Sequence, residues 1–155
     1  MKIDRTEKSL IGEFYTVAQL YHREFVASPT LGKTKKVDIL VYNPKTKARK
    51  LIEVKTTDEK IKNSKLFGQN YEWMMSEKHE NIIDKNLFYC FVLLRGLNKL
   101  PRFFIVPNEE VADYVKSEHQ QWLAYRQKKN GNPMRLFRID ATKSSKYEDN
   151  WDVLK

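Results

Sequence analysis

The chain has 155 residues, 41% of them hydrophobic and 32% charged, and Lys plus Arg outnumber Asp plus Glu by 29 to 20 for a net charge of +9. That length and apolar share suit a single domain on one core over residues 1–155 and exclude a disordered chain, while the excess of cations favours a polyanionic partner. The lone cysteine, Cys90, excludes an intrachain disulfide framework, no apolar run is long enough to span a bilayer, and the polar start at Met1–Arg5 carries no secretory signal, so a reducing cytoplasm is the expected compartment.

In chain order, Thr6 to Phe25 has helical periodicity. Leu10, Phe14, Val17 and Tyr21 form an apolar stripe that Ile11, Ala18 and Phe25 widen, and Glu13 stands at its edge, either an ordinary boundary glutamate or one turned toward a neighbouring sheet. Ser28 to Lys36 reads as a loop broken by Pro29 and Gly32, with Lys33, Lys35 and Lys36 clustered in it. Val37–Tyr42 and Lys50–Lys55 are β-branched runs joined by the turn residues Asn43-Pro44-Lys45-Thr46-Lys47, which predicts a hairpin. The polar stretch from Thr56 to Gln69, with Lys60, Lys62 and Lys65, is expected to be a loop, and Asn70 to Glu80 a short helix. Leu87–Leu94 is a continuous apolar run of strand length, expected to be buried on both faces, with Cys90 a small hydrophobe inside it. Arg102–Val106 is a second strand ended by Pro107, after which Asn108 is expected to cap a helix to about Gln127 with Glu109 and Glu110 in its first turn. Residues 128–133 read as a loop and Met134–Ile139 as an edge strand. Tyr147, Trp151, Val153 and Leu154 predict a tail docked on the body. The order is helix, strand, strand, short helix, strand, strand, helix, strand, an α/β pattern without repeats.

The hairpin carries the chemistry. Pairing Asn43 with Ala48 sets Asp38 opposite Glu53 and Ile39 opposite Ile52, and the two-residue period brings Lys55 to the same face as Glu53. Carboxylates placed opposite one another repel in an ordinary sheet. A divalent cation between them reverses the sign, and oxygen ligands of this kind suit Mg²⁺ or Mn²⁺ rather than zinc. A Glu-x-Lys spacing alone is a weak signal. Here it lies on a strand, one hairpin after an aspartate and after a helix bearing a glutamate. His22, His79 and His119 have no zinc-ligand spacing and are expected at the surface or the core edge. No glycine-rich phosphate loop is present, so an ATP-driven role is not expected.

Gly12-Glu13 with Ala18 and Leu20, then Val37-Asp38-Ile39-Leu40 and Ile52-Glu53-Val54-Lys55-Thr56, resemble the PD-(D/E)XK nuclease superfamily over residues 10 to 57, and in particular its small prokaryotic members. The proline of the family's Pro-Asp pair is Val37 here. The resemblance implies a restriction-endonuclease-like fold, a central mixed β-sheet flanked by helices. It implies hydrolysis of DNA phosphodiester bonds with Mg²⁺ or Mn²⁺. Asp38 and Glu53 would hold the metal with the backbone carbonyl of Val54, Lys55 would orient or activate the attacking water, and Glu13 would ligate a second metal or position the first through water. Lys33, Lys35, Lys36, Lys60, Lys62 and Lys65 are candidates for phosphate contact. Gln69 and Lys78 are further cleft candidates, and Trp73 is weighed as core packing. A homodimer or higher homo-oligomer would serve to cut two strands. The alternative is a non-catalytic DNA- or RNA-binding module that keeps the fold.

Overall fold

The computed structural model describes residues 3–30, 37–127 and 133–155. The elements are α1 (Arg5–His22), β1 (Val26–Pro29), β2 (Ile39–Tyr42), β3 (Arg49–Asp58), β4 (Lys62–Ser64), β5 (Gly68–Ser76), a 3₁₀ turn at Glu77–Asn81, β6 (Leu87–Leu94), β7 (Arg102–Pro107), α2 (Asn108–Arg126), β8 (Met134–Asp140) and a terminal 3₁₀ turn at Trp151–Leu154. Five strands form a mixed sheet in the order β1-β2-β3-β6-β7, in which only β3 and β6 run parallel. A second antiparallel sheet has the order β4-β5-β8. β8 is thus an edge strand, as its alternation predicts.

The hairpin has the expected register. Asn43 N–H donates to Ala48 C=O at 2.9 Å, and Ile39 faces Ile52. Asn43 builds the turn, its side-chain oxygen accepting the Lys45 and Thr46 N–H groups at 2.9 and 3.2 Å, and Lys47 closes it at φ +62°. The strand is shorter than predicted, however: Val37 and Asp38 precede β2 rather than lying in it.

β6 is buried on both faces, as its apolar run predicts. Phe88, Cys90 and Val92 join Leu20, Ile39, Ile52, Val54, Trp151 and Leu154 on the α1 side. Tyr89, Phe91 and Leu93 join Trp73, Val111, Val115 and Phe137 on the other. The tail docks through Trp151 and Leu154, and burial pushes the Cys90 thiol up to about 12. Among the described residues no helix is long and apolar enough to cross a membrane.

Four expectations are corrected. The stripe of α1 faces the sheet only in part: Val17 packs against the core and Phe25 is buried, but Leu10, Phe14 and Tyr21 are 45%, 65% and 55% exposed, and Gly12, Thr16 and Leu20 are buried in their place. The reason is a close approach, since a Cβ at Gly12 would lie 1.9 Å from Thr56 Oγ1. The helix meets β3 through its smallest residues, and bulky ones would hold it away. Second, Ser28 and Pro29, the first residues of the expected loop, belong to β1. Third, the expected loop and short helix across 56–80 are the end of β3, then β4 and β5. Tyr71, Trp73 and Met75 point inward at period two while Glu72 and Met74 do not, and β8 supplies the partner. Fourth, Asn108 makes no cap hydrogen bond; its Oδ1 accepts the Asp84 N–H at 2.8 Å.

Candidate active site

The site grows from the place where β2 ends against β3. The β2 ladder begins at Ile39, so the side of β3 facing it has no strand partner beyond Ile52. Asp38, in the bend before β2, fills the gap: its Oδ2 accepts the Val54 backbone N–H at 2.7 Å. In extended backbone the N–H and C=O of one residue point to the same side, so the Val54 carbonyl also faces Asp38. On the other side of β3, the parallel partner β6 puts Tyr89 beside Glu53.

Glu53 is 5% exposed, and its surroundings account for its ionisation. Burial alone would raise its carboxyl. The hydrogen bond from His79 and the charge and hydrogen bond of Lys55 outweigh burial and hold it at about 2. Lys55 Nζ lies 2.5 Å from Glu53 Oε1, and His79 Nε2 lies 3.3 Å from the same oxygen. The other oxygen, Oε2, is buried and makes no hydrogen bond of good geometry, and neither do the Tyr89 hydroxyl and Asn108 Nδ2, although Tyr89 stands close enough to the Glu53 carboxylate and to Asn108 to interact with both. Burial first, and the Glu53 carboxylate next, push the Tyr89 hydroxyl far above its ordinary value.

Asp38 is half-buried and its carboxyl is raised. Burial is the largest cause, the Val54 N–H opposes it, the Glu53 charge adds to it and Lys55 offsets part. Glu13 is also half-buried, and burial and the Asp38 charge raise it while the Ser9 hydroxyl, donating at 3.1 Å, pulls it back. The electrostatics therefore link Glu13 to Asp38, Asp38 to Glu53, and Glu53 to Lys55. The close approach of Gly12 to Thr56 holds this part of α1 against β3.

An open cleft of about 470 Å³ runs from the first turns of α1 to the second sheet, lined by Arg5, Lys8, Lys55, Lys62, Glu72 and Met74 among others. Lys62 is thus in the cleft with Lys55. Lys65 lines a separate hollow beside α2, and Lys60 is exposed between β3 and β4. Gln69 is exposed at the start of β5, and Lys78 is exposed in the 3₁₀ turn next to the inward-facing His79. Lys33, Lys35 and Lys36 lie outside the described residues. Arg5 and Lys8, which the sequence did not mark, reach the cleft, and Lys8 pairs with Asp58.

Two of the three histidines depart from expectation. His22 is exposed, but His79 and His119 are buried, His119 stacked on Trp122. Trp73 is core, donating Nε1–H to Val92 C=O at 3.1 Å. Sequence reasoning also missed Tyr89 and Asn108, which read as an ordinary strand aromatic and an ordinary cap.

Among the described residues, no three His, Cys, Asp or Glu side chains form a group able to hold a metal ion. The donors present are the Asp38 carboxylate, Glu53 Oε2, which neither Lys55 nor His79 binds, and the Val54 carbonyl. These hard oxygens fit Mg²⁺ or Mn²⁺, which bind through one or two carboxylates and keep several waters. They do not fit a closed cage.

No family model matches the chain, and no curated protein does. Among solved structures the chain is similar to a bacterial homing endonuclease, I-Ssp6803I, with a TM-score of 0.59 and 13% identity over 98% of this chain and 91% of that one. A mixed five-stranded sheet with α1 packed on β3, similar to that enzyme along nearly its whole length, gives this chain a restriction-endonuclease-like fold.

Proposed function

We propose that the chain is a divalent-metal-dependent endonuclease that hydrolyses DNA phosphodiester bonds. The observation that carries this reading is the meeting of Asp38, Glu53 and Lys55 at the end of the β2 ladder. There, burial and the Glu53 charge raise the Asp38 carboxyl, and Lys55, whose Nζ lies 2.5 Å from Glu53, offsets part of that rise. A sheet gains nothing in stability from such a pair of carboxylates, whereas a hard cation would offset both charges.

Bound there, Mg²⁺ or Mn²⁺ would lower the pKa of a water and neutralise charge on the phosphoryl oxygens. Asp38, Glu53 and the Val54 carbonyl would hold it. Lys55 stands at the mouth of the cleft, where its ammonium orients the attacking water and stabilises the charge that grows on the phosphate. The water oxygen forms a new bond to phosphorus, the bond to the leaving oxygen breaks, and that oxygen takes up a proton. Glu13, coupled to Asp38 from the helix side, is assigned to a second metal or to a positioned water.

The partner assigned is DNA. Arg5 and Lys62 in the cleft, Lys60 and Lys65 beyond it, and by sequence Lys33, Lys35 and Lys36, would contact its phosphates. Gln69 and Lys78 remain assigned to the cleft's periphery. We assign the chain as one nuclease domain acting as a homodimer, since a duplex offers two strands to cut. Plasmid cleavage with Mg²⁺ or Mn²⁺, abolished by chelation, tests the reading. DNA binding without cleavage under any of these metals would replace it with a non-catalytic binding module.

A further inference from the structure

We propose that His79 is a positioning residue for Glu53, fixing the carboxylate from behind so that a cation meets ligands already oriented; the proposal rests on the metal-site reading above. His79 is 26 residues from Glu53 in sequence and arrives from the other sheet, on the 3₁₀ turn that follows β5. Its ring is itself held. The Ser76 backbone N–H donates to His79 Nδ1 at 3.0 Å, and the Ser76 hydroxyl is also 3.0 Å from Nδ1. The ring packs edge-on against Tyr89, with centroids 5.9 Å apart, and Tyr89 is the strand neighbour of Glu53.

The proton that reaches Glu53 follows from the carboxylate itself. Nδ1 stands 3.0 Å from the Ser76 N–H, hydroxyl and carbonyl alike, whereas Nε2 faces the Glu53 carboxylate, which can only accept, so Nε2 carries a proton. Nε2–H then donates to Glu53 Oε1 at 3.3 Å, the oxygen that Lys55 also binds. His79 and Glu53 are 3% and 5% exposed, and burying both together is costly where an apolar pair would pack as well. Lys55 and His79 both fix Oε1, and Oε2 lies outside that pair. The same arrangement, a partner behind a metal-binding carboxylate, is where a single substitution typically lowers metal affinity about 10- to 100-fold.

Two substitutions separate positioning from simple packing. His79→Gln puts an amide N–H near the place of Nε2 and keeps the reach to Glu53. His79→Asn keeps an acceptor near the place of Nδ1 for Ser76, but ends short of Glu53. Mn²⁺ binding is measured without DNA, by the loss of the free-ion paramagnetic resonance signal. His79→Gln is expected within about threefold of wild type, and His79→Asn about tenfold weaker or more. Wild type that binds Mn²⁺ and His79→Asn that binds it as tightly overturn the assignment of His79 alone. Wild type that binds no Mn²⁺ overturns both this proposal and the metal-dependent function. Should His79→Asn fail to fold, wild type labelled with ¹⁵N at histidine decides: the His79 Nε2–H resonance is expected to shift on addition of Mg²⁺, and an unmoved resonance overturns the proposal.

Discussion

Asp38 closes the β2 side of β3 by accepting the Val54 N–H at 2.7 Å, so one carboxylate serves both the sheet and the candidate site. The two roles separate by substitution. Asn at 38 still offers an oxygen to Val54 but carries no charge, whereas Ala leaves the half-buried N–H unpaired. Asp38→Ala is expected to cost about 1–3 kcal/mol in urea unfolding, and Asp38→Asn clearly less. DNA cleavage should be lost in both. Equal stability losses in the two variants would mean that the Val54 bond contributes nothing.

The fit of α1 on β3 makes a second prediction. A Cβ at residue 12 meets Thr56 Oγ1 at 1.9 Å and Thr56 Cβ at 3.0 Å, so Gly12→Ala must lift the helix or displace the threonine. A loss of about 1–3 kcal/mol is expected despite the better helix propensity of alanine. Thr56→Ala removes the nearer atom, so the double variant should recover part of that loss. Simple additivity in a double-mutant cycle would show that the two residues do not meet.

These two contacts mark where sequence reasoning reached and where it stopped. The hairpin was legible because its signals are local: β-branched residues flank Asn43, whose side chain builds the turn and sets the register that brings Asp38 and Glu53 together. The buried run of β6 was legible for the same reason. In α1 the periodicity offered two faces. The bulky one looked like core, but the sheet takes the one with Gly12 and Thr16, and only the partner strand reveals that. β5 was hidden because its partner, β8, lies some 60 residues further on: Trp73 faces Phe137. His79 was hidden with it, since a lone histidine acquires meaning only when the second sheet carries it back to Glu53.

The carboxylates predict the pH dependence of stability in a metal-free buffer. Glu53 titrates at about 2 when folded, against an ordinary value of 4.5, so its contribution is present above 4.5 and is lost as pH falls from 4.5 to about 2. Glu13 and Asp38 are raised, so their contributions have the opposite sign, growing as pH falls through their folded values and complete below the ordinary 4.5 and 3.8. Urea midpoints should therefore hold or rise in mild acid and then fall below about pH 4.5. Glu53→Gln should flatten the acid limb. An acid limb as steep in Glu53→Gln as in wild type would remove Glu53 from the account.

Cleavage of supercoiled plasmid and of single-stranded DNA with Mg²⁺ or Mn²⁺, by wild type, Asp38→Asn and Lys55→Ala, tests the nuclease assignment most directly. The account predicts cutting by wild type alone, with all three proteins folded and bound to DNA. Wild type that binds DNA but cuts none of it, or an Asp38→Asn or Lys55→Ala variant that cuts as fast as wild type, would contradict it.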